Sequence, residues 1–448
     1  LKGLNMTLSQ ILHQDFKEEP YWWEAARPVA QQDAVGASVD VAIVGGGYGG
    51  LSAALHLASK GVSVAVFEAQ DFGHGSSSRN AGMVSAGTYI FKDVKNLPKQ
   101  EATAIIAEAS EALRFVETLI HDHGIDCDYQ RSGRIIAAAS PRHFDAMAAG
   151  LGEMNTIARA DAYMLPAAEI RSEIGSDAYW GATIIRNAAK FHPALYYHGL
   201  LRAAAAAGAK LRSSSRVTSI ERRNGQFELR FSDGAVTAGQ VVIATNGETS
   251  ELTPFLRRRV VPVGSYMLAT EPLPVELRKA LFPNGRTMID SRNVMRFARC
   301  SPDGERLMFG GRAKFSSHPA RDAVAILHGF MIDVFPQLAG YRISHAWMGN
   351  VAFTFDRLSH AGVHDGLHFC LGCNGSGVSM MTLLGRRLAE RILGAETAGP
   401  LERPDFPTRP FYNGDPTLGL MAVGASFKFK DWMERLRTPG SSRRSGGR

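Results

Sequence analysis

The stretch that most limits what this chain can become runs from Val39 to Glu68. Val39-Asp40-Val41-Ala42-Ile43-Val44 is short, apolar and β-rich, and glycines follow at once; such a run reads as a buried parallel strand. Gly45, Gly47 and Gly50 stand in G-x-G-x-x-G spacing, with Gly46, Tyr48 and Gly49 between them. Gly45 makes the tight turn, Gly47 admits a pyrophosphate to the backbone, and Gly50 lets the next helix lie against the strand. Leu51, Ala54, Leu55 and Ala58 recur at helical spacing on a sheet-facing side. The start of that helix offers N–H groups and the positive end of a dipole to a diphosphate. Gly61 stops the helix. Residues 62–67 read as a second strand, and Glu68 closes it with a carboxylate placed for ribose hydroxyls.

A lone glycine motif says little. Here strand, glycines, helix, strand and acid follow in order within one βαβ length, so a dinucleotide site is expected. The acid suits the ribose of NAD or of FAD and would repel the 2′-phosphate of NADP.

Composition narrows the class. A chain of 448 residues makes two domains or one large one. No apolar run approaches the ~18 residues of a membrane span, and the N-terminus lacks a secretion signal's pattern. Cys127, Cys300, Cys370 and Cys373 are too few for a disulfide framework, so a reducing cytoplasm is expected. Cys370-Leu371-Gly372-Cys373 has no second pair at zinc-finger spacing, so no metal is expected, and both cysteines read as packing residues of a strand and turn, with a redox pair as the alternative. Net charge is +7, partly from Arg435, Arg437, Arg443, Arg444 and Arg448, which read as a solvated, disordered basic tail. No nucleic-acid-binding motif accompanies the charge, so nucleic acid is the weaker reading. Tyr21-Trp22-Trp23 reads as an anchoring aromatic cluster in an N-terminal arm.

The loop after Glu68 decides which dinucleotide. Gly73-His74-Gly75-Ser76-Ser77-Ser78-Arg79-Asn80-Ala81-Gly82-Met83 is too small and polar for a regular element. Its small side chains let backbone N–H groups face a flat ring or a phosphate. With residues 41–50 and Glu68-Ala69, this loop resembles the FAD-dependent D-amino-acid oxidase superfamily, its glycine/sarcosine oxidase branch, and most closely gamma-glutamylputrescine oxidase-like proteins. The resemblance extends to a second glycine cluster, Gly372-Cys373-Asn374-Gly375-Ser376-Gly377-Val378, which opens a helix after the strand at 367–371. A helix N-terminus there favours the negative charge of reduced flavin. Trp347, Gly349, Thr354 and Asp356 resemble the family's strand that returns to the FAD domain.

What the resemblance implies is a fold and a site. The fold is α/β, a Rossmann-type FAD-binding domain with an inserted antiparallel-sheet substrate domain. An arm at 1–37 precedes FAD-binding segments 38–99, 190–255 and 346–398. Substrate segments are 100–189 and 256–345, and 399–448 is a C-terminal extension. FAD is expected to meet Gly45, Gly47, Tyr48, Gly49, Gly50, Glu68, Ala69, residues 76–83, Thr245, Asn246, Gly247, Asn374, Gly375, Ser376, Gly377 and Val378. Val217 stands where the superfamily lays backbone against adenine. Asn80 replaces the residue that is His in covalent relatives, and no cysteine stands at 347–356, so the FAD is expected to be noncovalent. Arg296 and Arg299, beside Phe297, are the substrate-carboxylate candidates, since a planar fork suits an acid. His192 reads as a helix-start residue.

The implied activity is oxidation of a C–N bond in a small amine or amino acid: hydride passes to flavin N5, the imine hydrolyses, and O2 reoxidises the flavin. No lysine stands at 307–309, where oxidases of this type carry one, so a dehydrogenase with another acceptor is the alternative. An NAD-dependent dehydrogenase would share residues 39–68 but not the 75–83 loop. A non-enzymatic FAD protein that binds RNA would use the basic balance.

Overall fold

A computed structural model of the chain describes residues 7–437 other than 86, 88–90, 95, 396–398 and 411. Arg443, Arg444 and Arg448 lie outside the described residues. Two sheets organise the rest. The first is wound around strand Ser38–Val44, which pairs in parallel with Val64–Phe67 on one side and Gly234–Ile243 on the other. Lys210–Arg212 extends it beyond Val64–Phe67, and Leu367–Leu371 adds in parallel to Gly234–Ile243. Val41 to Val44 and the whole of Val64–Phe67 are buried, as strands covered on both faces must be.

Helix Tyr48–Ala58 joins the first two strands and is almost wholly buried. It stops as Gly61 predicts. Gly61 takes φ +79°, and the N–H groups of Gly61 and Val62 donate to Ala58 and Leu57 at 2.9 and 3.2 Å. Helix Gly377–Ile392 crosses it so closely that a Cβ on Gly385 would lie 2.2 Å from the Gly49 carbonyl oxygen. Ser52 fixes the crossing by donating to Thr382 O at 2.7 Å.

The second sheet has nine strands among the described residues, in the order Leu12–Lys17, Ile343–Thr354, Val260–Thr270, Leu307–Gly311, Arg296–Cys300, Thr287–Asp290, Arg134–Ala137, Gly181–Ile185 and Ala162–Pro166. It is mixed rather than antiparallel throughout. Thr287–Asp290 runs parallel to Arg134–Ala137, and Leu12–Lys17 runs parallel to Ile343–Thr354. Hairpin geometry binds only strands close in sequence, and these partners come from distant segments.

Lys210–Arg212 and Ser219–Arg223 are separate strands; between them the N–H groups of Ser214 and Ser215 turn aside to donate to the carbonyls of Gln70 and Glu68. Three expectations are corrected. Helix Lys99–Asp122, assigned to the substrate segment, buries Ile105, Leu113 and Val116 in the same core as the parallel sheet. Strand Ile343–Thr354 belongs to the large sheet along its length, pairing with Val260–Thr270 from Ile343 to Thr354. Arg435 and Arg437 end a helix, Thr417–Arg437, and are no disordered tail. No helix among the described residues is long and apolar enough to cross a membrane. The arm does anchor by aromatics: Trp22 is fully buried, and Trp23 donates Nε1–H to Ser78 Oγ at 2.9 Å.

Candidate active site

Both glycine turns open onto one cavity of about 220 Å³. At the first turn Gly45 and Gly50 take the geometry their spacing implies. Gly45 takes φ +103°, and a Cβ there would meet Ala244 O at 2.8 Å. A Cβ on Gly50 would lie 2.0 Å from Gly45 O. Gly47 caps helix Tyr48–Ala58 without a side-chain cap bond. Glu68 accepts the N–H groups of Gly46 at 2.9 Å and Gln70 at 3.1 Å. Burial nonetheless raises its pKa, and those N–H groups only partly offset this. Tyr197 ties the turn down by donating to Gly46 O at 2.6 Å.

The second turn is held by side chains. Asn246 takes φ +44°, and its Oδ1 accepts the N–H groups of Gly372 and Cys373 at 3.0 and 3.4 Å. Asn374, buried and at φ +45°, accepts the Thr354 N–H at 3.1 Å and donates to Gly372 O at 2.8 Å. Ser376 caps helix Gly377–Ile392, again without a side-chain cap bond.

The cavity wall contains Gly47, Tyr48, Gly49, Ser76, Ser77, Arg79, Asn80, Ala81, Met83, Asn246, Gly375, Ser376, Gly377 and Val378. Gly45, Gly50, Glu68, Ala69, Ser78, Gly82, Thr245, Gly247 and Asn374 stand outside that wall. Of these, Gly45, Gly50 and Asn374 shape its turns, and Ser78 and Gly82 shape its loop. Val217 is buried beyond the serines bonded to the end of Val64–Phe67, and also lies outside. His192 is a helix start, its Nδ1 accepting the Leu195 N–H at 3.2 Å.

The arginine expectation is corrected. Arg296 points to the far side of the sheet, over the Phe330 ring at 4.6 Å and 3.2 Å from Asp333. Arg299 shares the face of Phe297 but is fully enclosed. Its Nη1 donates to the carbonyls of Gly82 and Phe191 at 3.0 and 2.8 Å, and its Nε to Cys300 O at 3.0 Å. The arginines on the cavity are Arg79, Arg134 and Arg312. Arg79 is held by His74 O at 2.7 Å and stacks 4.7 Å from the Trp23 ring. Arg134 donates to Ser85 Oγ at 3.0 Å. Arg312 lies 4.9 Å over the Phe353 ring. Strand alternation carries a signal for Arg312, which follows strand Leu307–Gly311 and continues the parity of Met308 and Gly310, paired with Arg299 and Phe297. Around these charges the wall is apolar, with Met267, Ile289, Met295, Phe297, Val351 and Phe353. Burial pushes the Cys370 thiol up to about 12 and the Tyr48 hydroxyl well above its usual value.

The arrangement fits FAD. One glycine turn, with a helix N-terminus and an acid behind it, suits the diphosphate and ribose. The other presents small residues and a second helix N-terminus to the same cavity. A Rossmann-type sheet with two such turns on one chamber, roofed by a large second sheet, defines a flavin-dependent oxidoreductase. The chain belongs to the DAO family, FAD dependent oxidoreductase, whose sequence model matches residues 40–391. It is 31% identical over 388 residues to a probable oxidoreductase OrdL of Rhizobium meliloti, covering 84% of this chain and 89% of that one. It is 30% identical over 380 residues to gamma-glutamylputrescine oxidoreductase of Escherichia coli, covering 84% and 88%. Among solved structures, glycine oxidase from Geobacillus kaustophilus superposes with TM-score 0.70 at 23% identity, covering 84% of this chain and 99% of that one. The resemblance read from residues 41–50, 68–69 and 75–82 therefore holds, as do FAD as cofactor and the α/β fold.

Proposed function

We propose that this enzyme oxidises the C–N bond of a small amine or amino acid that also carries a carboxylate. The observation behind this reading is the sign of the cavity. Three arginines line it, and no Asp or Glu does among the described residues. A free diamine would find no counter-charge there, whereas a carboxylate meets the planar forks of Arg312 and Arg134. The relative named gamma-glutamylputrescine oxidoreductase and the neighbour named glycine oxidase are both named for amines that bear a carboxylate. Held between residues 45–50 and 372–378, FAD supplies the two-electron acceptor for the C–N bond. Met267, Phe297 and Phe353 exclude water from the substrate's carbon chain. Cys370 and Tyr48 keep their protons at neutral pH, and no histidine lines the cavity among the described residues. The amine therefore enters already deprotonated. kcat/KM is expected to rise about tenfold per pH unit until the amine's own pKa, near ~9–10.

The test is anaerobic bleaching of the bound flavin by matched amines with and without a carboxylate. Carboxylated donors should bleach it, and Arg312→Ala should raise their KM about 10- to 100-fold with little change in kcat. Free diamines bleaching equally well would overturn the reading. Readmitting air tests a second reading, in which electrons leave to an acceptor other than O2. That reading is favoured because no lysine lines the cavity among the described residues, and Lys314 pairs with Asp322 at 3.6 Å. Colour that stays bleached in air supports it.

A further inference from the structure

Helix Thr417–Arg437 wears its apolar side outward. Leu420, Gly424, Phe427, Asp431 and Glu434 recur at helical spacing and face the body. Leu420 is buried with Val263, Phe315 and Phe353, and Gly424 sits against the Phe315 ring. Asp431 accepts the N–H groups of Asn293 and Val294 at 2.9 and 2.8 Å, and Glu434 accepts from Ser140 Oγ at 2.8 Å. Both acids of the helix are thus turned inward. At 100° per residue, Met421, Phe429, Trp432 and Leu436 fall in the opposite sector, 66%, 59%, 53% and 62% exposed. Of eight large apolar side chains exposed among the described residues, these are four, and a fifth, Val423, is on the same helix outside that sector. So concentrated a patch marks an interaction surface. Exposed cations border it on both sides, Lys428 and Arg435 on one and Lys430 on the other.

We propose that this helix lies flat on an anionic phospholipid surface, with its apolar sector among the acyl chains and its lysines and arginines at the headgroups. An apolar face rich in aromatics between cationic borders is the pattern of an interfacial helix. A second copy of the chain is a poorer occupant, because twofold pairing of these faces would set cation against cation. The charge continues in sequence with Arg443 and Arg444, as polybasic segments beside a membrane do. The surface would lie close to the active site. Asp431 holds the backbone of Val294, and the next residue, Met295, lines the cavity.

The full-length holoprotein is floated with vesicles of phosphatidylcholine, alone and with about 30% phosphatidylglycerol. At least about tenfold more protein should travel with the anionic vesicles, and about half-molar salt should release much of it. Phe429→Asp with Trp432→Asp should reduce capture at least about tenfold with the flavin spectrum unchanged. Lys428→Glu with Lys430→Glu should do the same, and it decides the matter if the first pair loses its flavin. Absence from both vesicle types, or equal capture by both, overturns the proposal. A dimer in solution that Phe429→Asp/Trp432→Asp dissolves, without vesicle binding, overturns it in favour of a second copy.

Discussion

The two glycine-rich turns face one cavity but are made rigid by different physics. At residues 45–50 the constraint is steric. Gly45 and Gly50 exist because backbone occupies the space a Cβ would need, 2.8 Å from Ala244 O in one case and 2.0 Å from Gly45 O in the other. At residues 372–378 polar bonds carry more of the constraint, with Asn246 and Asn374 gripping main-chain groups on both sides of the turn, although Gly372 at φ +79° also leaves a Cβ only 2.5 Å from Thr354 Cγ2. Where backbone fills the space no carbon can be added, while a grip made of hydrogen bonds fails by degrees.

That contrast can be broken by substitution. Gly50→Val should be the most damaging change, costing about 3 kcal/mol or more and yielding protein without flavin; full flavin occupancy with unchanged thermal stability would refute the steric account. Asn374→Ala should cost about 1–3 kcal/mol in denaturant unfolding, since the buried Thr354 N–H loses its acceptor at 3.1 Å. Asn246→Ala should cost less, about 1 kcal/mol, and mainly weaken flavin binding in equilibrium titration, because its contact with Cys373 is long at 3.4 Å.

The smallest effect sharpens the comparison through pH. Glu68 behind the first turn is a carboxylate, and residues 372–378 contain none. Burial raises its folded-state pKa, so its charged form costs stability once pH exceeds the unfolded value, and the cost is complete above the raised one. Flavin-free protein and its Glu68→Gln variant should match in acid and diverge in the variant's favour toward neutrality. With flavin bound the order should reverse, as the carboxylate gains ribose hydroxyls. A pH-independent gap between the two flavin-free proteins would remove Glu68 from this account.

The first turn was legible in the sequence because its causes are local: strand, turn, helix and acid lie within residues 39–68. The second was legible only in outline. Asn246 reaches Gly372 from 126 residues away, and no spacing rule announces such a bond. The arginines fared worse for the same reason. Arg296 and Arg299 stood out beside an aromatic, yet the face of a strand and the depth of a neighbour decide what a guanidinium meets. Trp22, from the N-terminal arm, lies 5.5 Å from Arg299 and helps to close it off. Arg134, in one strand, and Arg312, just past the end of another, come to the cavity from points far apart in the chain, and only the alternation through Met308 and Gly310 hinted at one of them. Helix Thr417–Arg437 was missed because its apolar residues lack the usual polar outer face and its charges looked like those of a tail.

Strand Ile343–Thr354 joins these regions mechanically. It donates from Trp347 to Arg79 O at 2.8 Å, receives Ser76 at Asn350 O at 2.9 Å, and ends on Asn374 at 3.1 Å. One strand thus pins the loop at 76–79, the second turn and the sheet that walls the cavity. Because the same strand serves all three, heating should melt the coenzyme and donor sites in a single step, and neither pocket should outlive the other.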